Sequence, residues 1–176
     1  FYNESQHPQG VISLEPVYCG SDGGGGVPKW VDWYMKENFN DKCLSFGYAQ
    51  AGQENSFGWD NMKDGLTYQF ALFEKLQDEG KIEVEKLAES GVWYRGAYKS
   101  TPASAIVAES DWRQKGRKSV WYSSKNYRVN FYIEDGGFYI RDMFLFRDNY
   151  RERYLDGGCN SGSLTYDNLP VMDVRF

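Results

Sequence analysis

Tyr127-Arg-Val-Asn-Phe-Tyr-Ile-Glu134, running into Asp135-Gly136-Gly137-Phe138, carries the plainest structural signal in the chain. Val129, Phe131 and Ile133 alternate with Arg128, Asn130 and Tyr132, which predicts a strand with one buried and one open face. Asp135-Gly136 between two such runs is the signature of a tight hairpin, because both central residues of that turn need positive φ. Working outward, residues 104–109, 118–123, 138–146 and 163–166 have the same β-branched and aromatic texture. The segment 101–176 is therefore expected to be all-β, an antiparallel β-sandwich.

The segment 1–100 has a different texture. Gly10-Val-Ile-Ser-Leu-Glu-Pro-Val-Tyr-Cys19 reads as a strand that feeds the loop Gly20-Ser-Asp-Gly-Gly-Gly-Gly26. Pro28 suits the first turn of a helix, and Trp30, Val31, Tyr34 and Met35 recur at helical spacing, so a helix is expected over 28–38. Leu44-Ser-Phe-Gly-Tyr-Ala49 reads as a second strand. A second helix follows over 61–79, with Asp60 as its cap, an apolar stripe of Met62, Leu66, Phe70, Phe73 and Leu76, and Gly80 as its left-handed end. Lys81-Ile-Glu-Val84 reads as a third short strand, and 85–90 as a loop or partial helix. Strand, helix, strand, helix, strand calls for parallel pairing with right-handed crossovers.

Three parallel strands with two helices leave open sheet edges, and a full (β/α) barrel takes about 250 residues. The expectation is thus an α/β segment forming the end of a (β/α) barrel, its other strands supplied by a preceding segment or another chain. A small open α/β sheet packed on the sandwich is the competing picture.

Composition narrows the function classes. Lys and Arg number 20 against 25 Asp and Glu, a formal net charge of -5, and no basic block stands out, which argues against nucleic acid as a partner. No apolar run approaches the ~20 residues that span a bilayer, so no membrane partner is expected. The three cysteines, Cys19, Cys43 and Cys159, cannot all pair, and Cys19 and Cys43 are expected at opposite ends of neighbouring parallel strands, beyond the roughly 7 Å that a bridge spans, so no disulfide framework is expected; with no C-x-x-C pair and His7 the only histidine, no metal site is expected either. The glycine run lacks the Lys-Ser/Thr ending of a P-loop and the spaced glycines of a dinucleotide fingerprint, so no cofactor is expected; flexibility or close backbone approach accounts for it better.

Gly20-Ser-Asp-Gly-Gly-Gly-Gly26, Gln53-Glu-Asn-Ser-Phe-Gly-Trp-Asp60 and Glu89-Ser-Gly-Val-Trp93 resemble the closing strands of bacterial glycoside-hydrolase-like barrels with an appended C-terminal β-sandwich. The resemblance lies in the order of elements and a few loop residues. It implies a carbohydrate-active protein acting on an oligo- or polysaccharide.

In parallel α/β architectures, ligands collect at the carboxyl ends of strands. Glycosidic hydrolysis normally uses two carboxylates roughly 5 to 9.5 Å apart. Glu54, Asp22 and Glu89 are the candidate catalytic residues, Glu54 paired with either of the others. Gln50, Gln53 and Asn55 could hydrogen-bond sugar hydroxyls, and Trp59 and Trp93 could stack on a ring, which makes these five the candidate substrate-binding residues. Each has an ordinary structural alternative, a solvated loop for the polar run and core packing for the rings. Trp112, Trp121, Tyr122 and Tyr127 fit a stacking platform and a sheet core equally well, and Arg128, Arg141, Asp142, Arg147 and Asp148 read as ion pairs around a hairpin. The alternative to a hydrolase is a non-catalytic glycan-binding or interaction module, in which aromatic side chains do the recognising; a purely structural domain is the third reading.

Overall fold

The computed structural model of the chain describes residues 13–21, 23–39, 42–53, 57–146, 157–158 and 170–173. Three helices, α1 (Pro28–Asn38), α2 (Trp59–Asp78) and α3 (Leu87–Ala97), precede five strands, β1 (Ser104–Ala108), β2 (Lys118–Ser123), β3 (Tyr127–Glu134), β4 (Gly137–Leu145) and β5 (Pro170–Asp173). The strands form one antiparallel sheet in sequence order.

The second half of the chain follows its side-chain pattern. β2 and β3 fall where alternation places them, and Asp135 and Gly136 adopt φ of 50° and 75°, the positive values their two-residue turn demands. Asn130 pairs with Asp142 and Phe131 with Ile140, so Arg141 is an extra residue in β4, a bulge that re-aims the strand's side chains. Val129 on one face is buried as expected, but so is Asn130 on the other. Both faces are therefore shielded at mid-strand. The antiparallel sheet is open and single among the described residues, and no second sheet packs on it to make a sandwich. The expected strand at 163–166 lies outside the described residues.

The first half departs from the expected barrel end. Among the described residues it contains no parallel strand. Residues 13–20 turn at Pro16 and close with the Tyr18 N–H donating to the Glu15 carbonyl at 3.2 Å; a proline that donates no ladder bond interrupts the run. Around 44–49 only an isolated antiparallel bridge forms, Leu44 with Ala105 of β1, because Ser45 adopts a φ of 69° that no strand accepts. Residues 81–86 run back along the end of α2, with the Lys81 N–H donating to the Leu76 carbonyl (2.9 Å) and the Val84 N–H to Gln77 Oε1 (3.0 Å). The barrel reading is corrected accordingly: the fold is mixed α and β, helices first and an open antiparallel sheet after.

What replaces parallel strands is a small core between α1, α2 and the coil of 13–27. Leu14, Trp30, Val31, Met35 and Phe73 are its buried members. Gly25 lets the coil fold onto itself: a Cβ there would lie 1.9 Å from the Leu14 carbonyl oxygen, and the Gly25 N–H donates to the Ser13 carbonyl at 3.1 Å. The glycine run thus serves close backbone approach. Gln69 of α2, fully buried, donates through Nε2 to the carbonyls of Leu14 and Gly25, both at 2.7 Å, satisfying two acceptors that no sheet serves.

The helical expectations also change. Of the expected apolar stripe of α2, Phe73 is buried and Met62, Leu66 and Leu76 are half-buried, but Phe70 is exposed; Gly65 and Gln69 are the other buried positions. Gly58 precedes α2, and Asp60 lies inside its first turn, bonded to Lys63 at 2.9 Å, so Asp60 is not the cap. α3 forms where a loop or partial helix was expected. It is begun by Glu89, which accepts the Lys86 N–H at 2.9 Å, and none of its residues is buried.

α1 and α2 are joined at the surface as well. The Tyr68 hydroxyl donates to Asp32 Oδ1 at 2.6 Å, and the carboxylate it faces pushes the phenol up to about 12. Replacing Gly25 by Ala should lower stability by several kcal/mol, about 3 or more, because backbone must move to admit the methyl. Gly20→Ala, where a Cβ meets nothing within 4 Å, should change it by less than about 0.5 kcal/mol. Urea denaturation of the two variants distinguishes them, and equal effects would refute the packing described for 13–27.

Candidate functional site

The sheet's polar face is built by alternation. Trp121 of β2, Asn130 of β3 and Asp142 of β4 are cross-strand neighbours in one row. Ser119 pairs with Tyr132 in the next. Arg128 lies over the Phe144 ring at 4.3 Å and the Trp121 ring at 5.5 Å, with Nη2 3.5 Å from Asp142 Oδ1. A guanidinium between two rings and beside a carboxylate is held by ring quadrupoles and charge together.

α1 and the loop 109–117 stand over one end of this face. The Trp33 indole N–H donates to the Ser110 carbonyl at 2.7 Å, and Ser110 Oγ donates to Oε1 of the buried Glu37 at 3.4 Å. The loop keeps its shape through Asp111, whose carboxylate accepts the backbone N–H groups of Arg113 (3.0 Å), Lys115 (2.9 Å) and Arg117 (3.0 Å). Gln114 and Gly116, at φ of 57° and 79°, complete the wrap. Further ties are Arg113 Nη2 to the Ser21 carbonyl and Arg117 Nε to Glu134 Oε1, both 2.5 Å.

Between these parts lies a cleft of about 80 Å³. Trp30 and Trp33 of α1 form one wall, and the loop from Ser110 to Arg113 with Arg117 and Lys118 forms another. Its floor is Ser119, Trp121, Asn130, Tyr132 and Arg141 of the sheet. Trp30 stacks on Tyr34 at 4.9 Å, and burial pushes the Tyr34 phenol up. Arg141, nearly buried, lies 5.8 Å from the Tyr132 ring centre, and Arg113 lies 5.0 Å from that of Trp112.

One atom in this cleft stands out chemically. Asn130 is 1% exposed, and its Oδ1 finds no hydrogen-bond partner among the described residues. Leaving a buried amide oxygen unpaired costs about 1–3 kcal/mol, which a donor entering the cleft would recover. A concave site with aromatic walls and a few convergent polar groups is the usual form of a small-molecule site.

The residues singled out from sequence lie elsewhere or outside the described residues. Glu54, Asp22 and Asn55 are outside them. Glu89 is exposed on α3, its carboxylate engaged at the helix start. Gln50 is exposed; Gln53 donates to Glu15 Oε2 at 3.3 Å. Trp59, 61% exposed, opens α2, and Trp93, 50% exposed, joins Phe46, Tyr94 and Tyr98 in an aromatic group on α3, with ring centres 5.3 to 6.4 Å apart. None of the five described candidates lines the cleft. Trp112 and Trp121 do, whereas Tyr122 and Tyr127 pair with each other at 5.6 Å outside it.

Trp30, Trp33, Asn130 and Arg141 were missed as site residues. The helical spacing and strand alternation that betray them are the same signals that mark core positions. Among the described residues no group of three or more His, Cys, Asp and Glu could hold a metal, and no helix is long and apolar enough to cross a membrane. Neither Cys19 nor Cys43 forms a disulfide, and the Cys43 thiol donates to the Asn38 carbonyl at 3.2 Å.

No family model, curated protein or solved structure matches this chain. With an open antiparallel sheet in place of parallel strands, the resemblance to glycoside-hydrolase-like barrels is withdrawn.

Asp111 is the residue on which the loop wall depends. Asp111→Ala should lower stability by about 1–2 kcal/mol, since three N–H groups lose a charged acceptor that water only partly replaces. Urea denaturation measures it, and a change under about 0.3 kcal/mol would show that the loop holds its shape by other means.

Proposed function

We propose that the chain is a non-catalytic glycan-binding module and that the cleft between α1 and the sheet receives the sugar. Trp33, Trp112 and Trp121 offer apolar ring surface to the C–H face of a pyranose, and Asn130 Oδ1 offers an acceptor for a hydroxyl. The orphaned Asn130 oxygen, set among tryptophans in a concave site, is the observation that carries this reading.

Binding is favoured over hydrolysis by the state of the carboxylates. Asp111, the one carboxylate lining the cleft among the described residues, is occupied by three backbone N–H groups, and Glu134 nearby pairs with Arg117. Both carboxylates are thus committed to holding the loop and the sheet edge, which favours a structural over a catalytic role for them. Glu89 is engaged in starting α3.

Titration calorimetry of the full chain against a panel of xylo-, cello-, chito- and galacturono-oligosaccharides tests the proposal. At least one should bind, Trp121→Ala should weaken it about tenfold, the equivalent of ~1.4 kcal/mol, and Trp59→Ala should leave it unchanged. Loss on Trp59→Ala with Trp121→Ala silent would move the site to the surface of α2, and no binding across the panel would overturn the reading.

A further inference from the structure

We infer that the outward face of α3 is a docking surface for a second copy of this chain, the two helices pairing antiparallel about a two-fold axis at Val92. The inference is independent of what the cleft binds.

α3 is held from one side only. No helix or strand among the described residues packs against it. Its attachment is the ring cluster in which Phe46 of the preceding coil meets Trp93, Tyr94 and Tyr98, with ring centres 5.7 to 5.8 Å from that of Phe46. Ser90 and Tyr94, the half-buried positions of the helix, mark the attached side. At about 3.6 residues per turn Val92 lies opposite them, and it is 67% exposed. The rings fix the helix on one flank and leave the Val92 flank facing solvent.

That flank has a pattern of its own. Ala88, Val92 and Gly96 recur every four residues along one stripe, and all three are exposed. A Cβ added at Gly96 would meet nothing within 4 Å, so packing inside the molecule does not require the glycine. Small side chains along a stripe let a second helix approach to the near end of the usual range of roughly 8–10 Å between axes.

The charges say which helix. Glu89 and Arg95 are the only charged residues of α3, and they stand three positions before and three positions after Val92, on its face. Glu89 uses one carboxylate oxygen, Oε2, on the Lys86 N–H, and Arg95 has no polar partner among the described residues. A two-fold axis at Val92 sets Val92 against its own copy, Ala88 against the partner's Gly96, and Glu89 against the partner's Arg95. Each of the last two contacts occurs twice, because an isologous interface repeats every contact. Beyond the helix the sign order continues, with Glu85 before it and Lys99 after it. Lys86, the contrary charge, is the N-cap and stands about a third of a turn off the stripe. An acid in the first turn and a base in the last also suit the helix's own dipole, which accounts for their signs but not for their shared face with Val92. Parallel pairing in register would oppose like charges, so the order selects the antiparallel arrangement.

One helix of 11 residues offers less than the ~800 Å² per partner of a standard interface, so the dimer is weak, with a Kd between about 10 µM and 1 mM. The test is sedimentation velocity of the full chain over that same range, about 10 µM to 1 mM, in low salt. The sedimentation coefficient should rise with concentration toward that of a dimer, and added salt should reverse the rise. R95E should raise the Kd about tenfold or more, because both Glu89–Arg95 contacts become contacts between like charges. E89R should do the same, yet an equimolar mixture of R95E and E89R should associate at least as tightly as the parent chain, since each copy then supplies the charge the other lacks. Should E89R lose helix by circular dichroism, V92E takes its place: it sets two like charges on the axis and should weaken association as R95E does. A chain that stays monomeric throughout, association that R95E leaves unchanged, or a mixture of folded R95E and E89R that fails to associate would each overturn the inference.

Discussion

The hydrogen bond from the Trp33 indole to the Ser110 carbonyl joins residues 77 apart in sequence and couples the helical half of the molecule to the sheet. α1 packs on α2 on one side and on β1 on the other, so it is the element through which the two halves meet. Its residues serve both sides at once: Val31 and Met35 enter the core, Trp33 lines the cleft, and Trp30 belongs to the core and borders the cleft as well. A helix placed this way cannot shift without opening the core, which fixes the aromatic wall as firmly as the fold itself.

The opposite wall obeys a second constraint. A loop of nine residues between β1 and β2 would be costly to order if it relied on packing alone. Asp111 removes that need by gathering three of its N–H groups, and Arg113 and Arg117 then tie it to Ser21 and Glu134. The bulge at Arg141 brings a cation into the floor that regular pairing would have turned to the other face. Burying Asn130 with an unpaired amide oxygen is unfavourable; among the described residues Gln53 Oε1, Gln69 Oε1 and Arg128 Nε are buried without a partner as well, but Asn130 is the one of these residues that lines the cleft.

Much of the second half was legible because period two and a turn pair are local signals. Asp135-Gly136 dictates its own φ values, and Val129 and Phe131 alternate whatever the rest of the chain does. α1 was legible for a similar reason, a proline at its start and four large residues at helical spacing. The first half misled because short apolar runs do not specify a strand without a partner. Leu44 to Ala49 has the composition of one, yet Ser45 turns left-handed and a single bridge to Ala105 remains. α3 was obscured by Gly91 and Gly96 and by apolar residues scattered around its circumference rather than along a stripe. The cleft could not be read in advance, since it joins α1, the 109–117 loop and three strands, whose proximity is a property of the tertiary fold. Trp59 and Trp93 drew attention by lying in loops of the expected barrel; without the barrel they are exposed residues on α2 and α3.

The central claim is that ligand enters between α1 and the sheet. Side-chain indole resonances report this directly in a heteronuclear spectrum of the full chain titrated with the tightest-binding oligosaccharide. The account predicts that the indole N–H signals of Trp33, Trp112 and Trp121 move together along one binding curve, while those of Trp59 and Trp93 stay in place. Movement confined to Trp59 or Trp93 would contradict it.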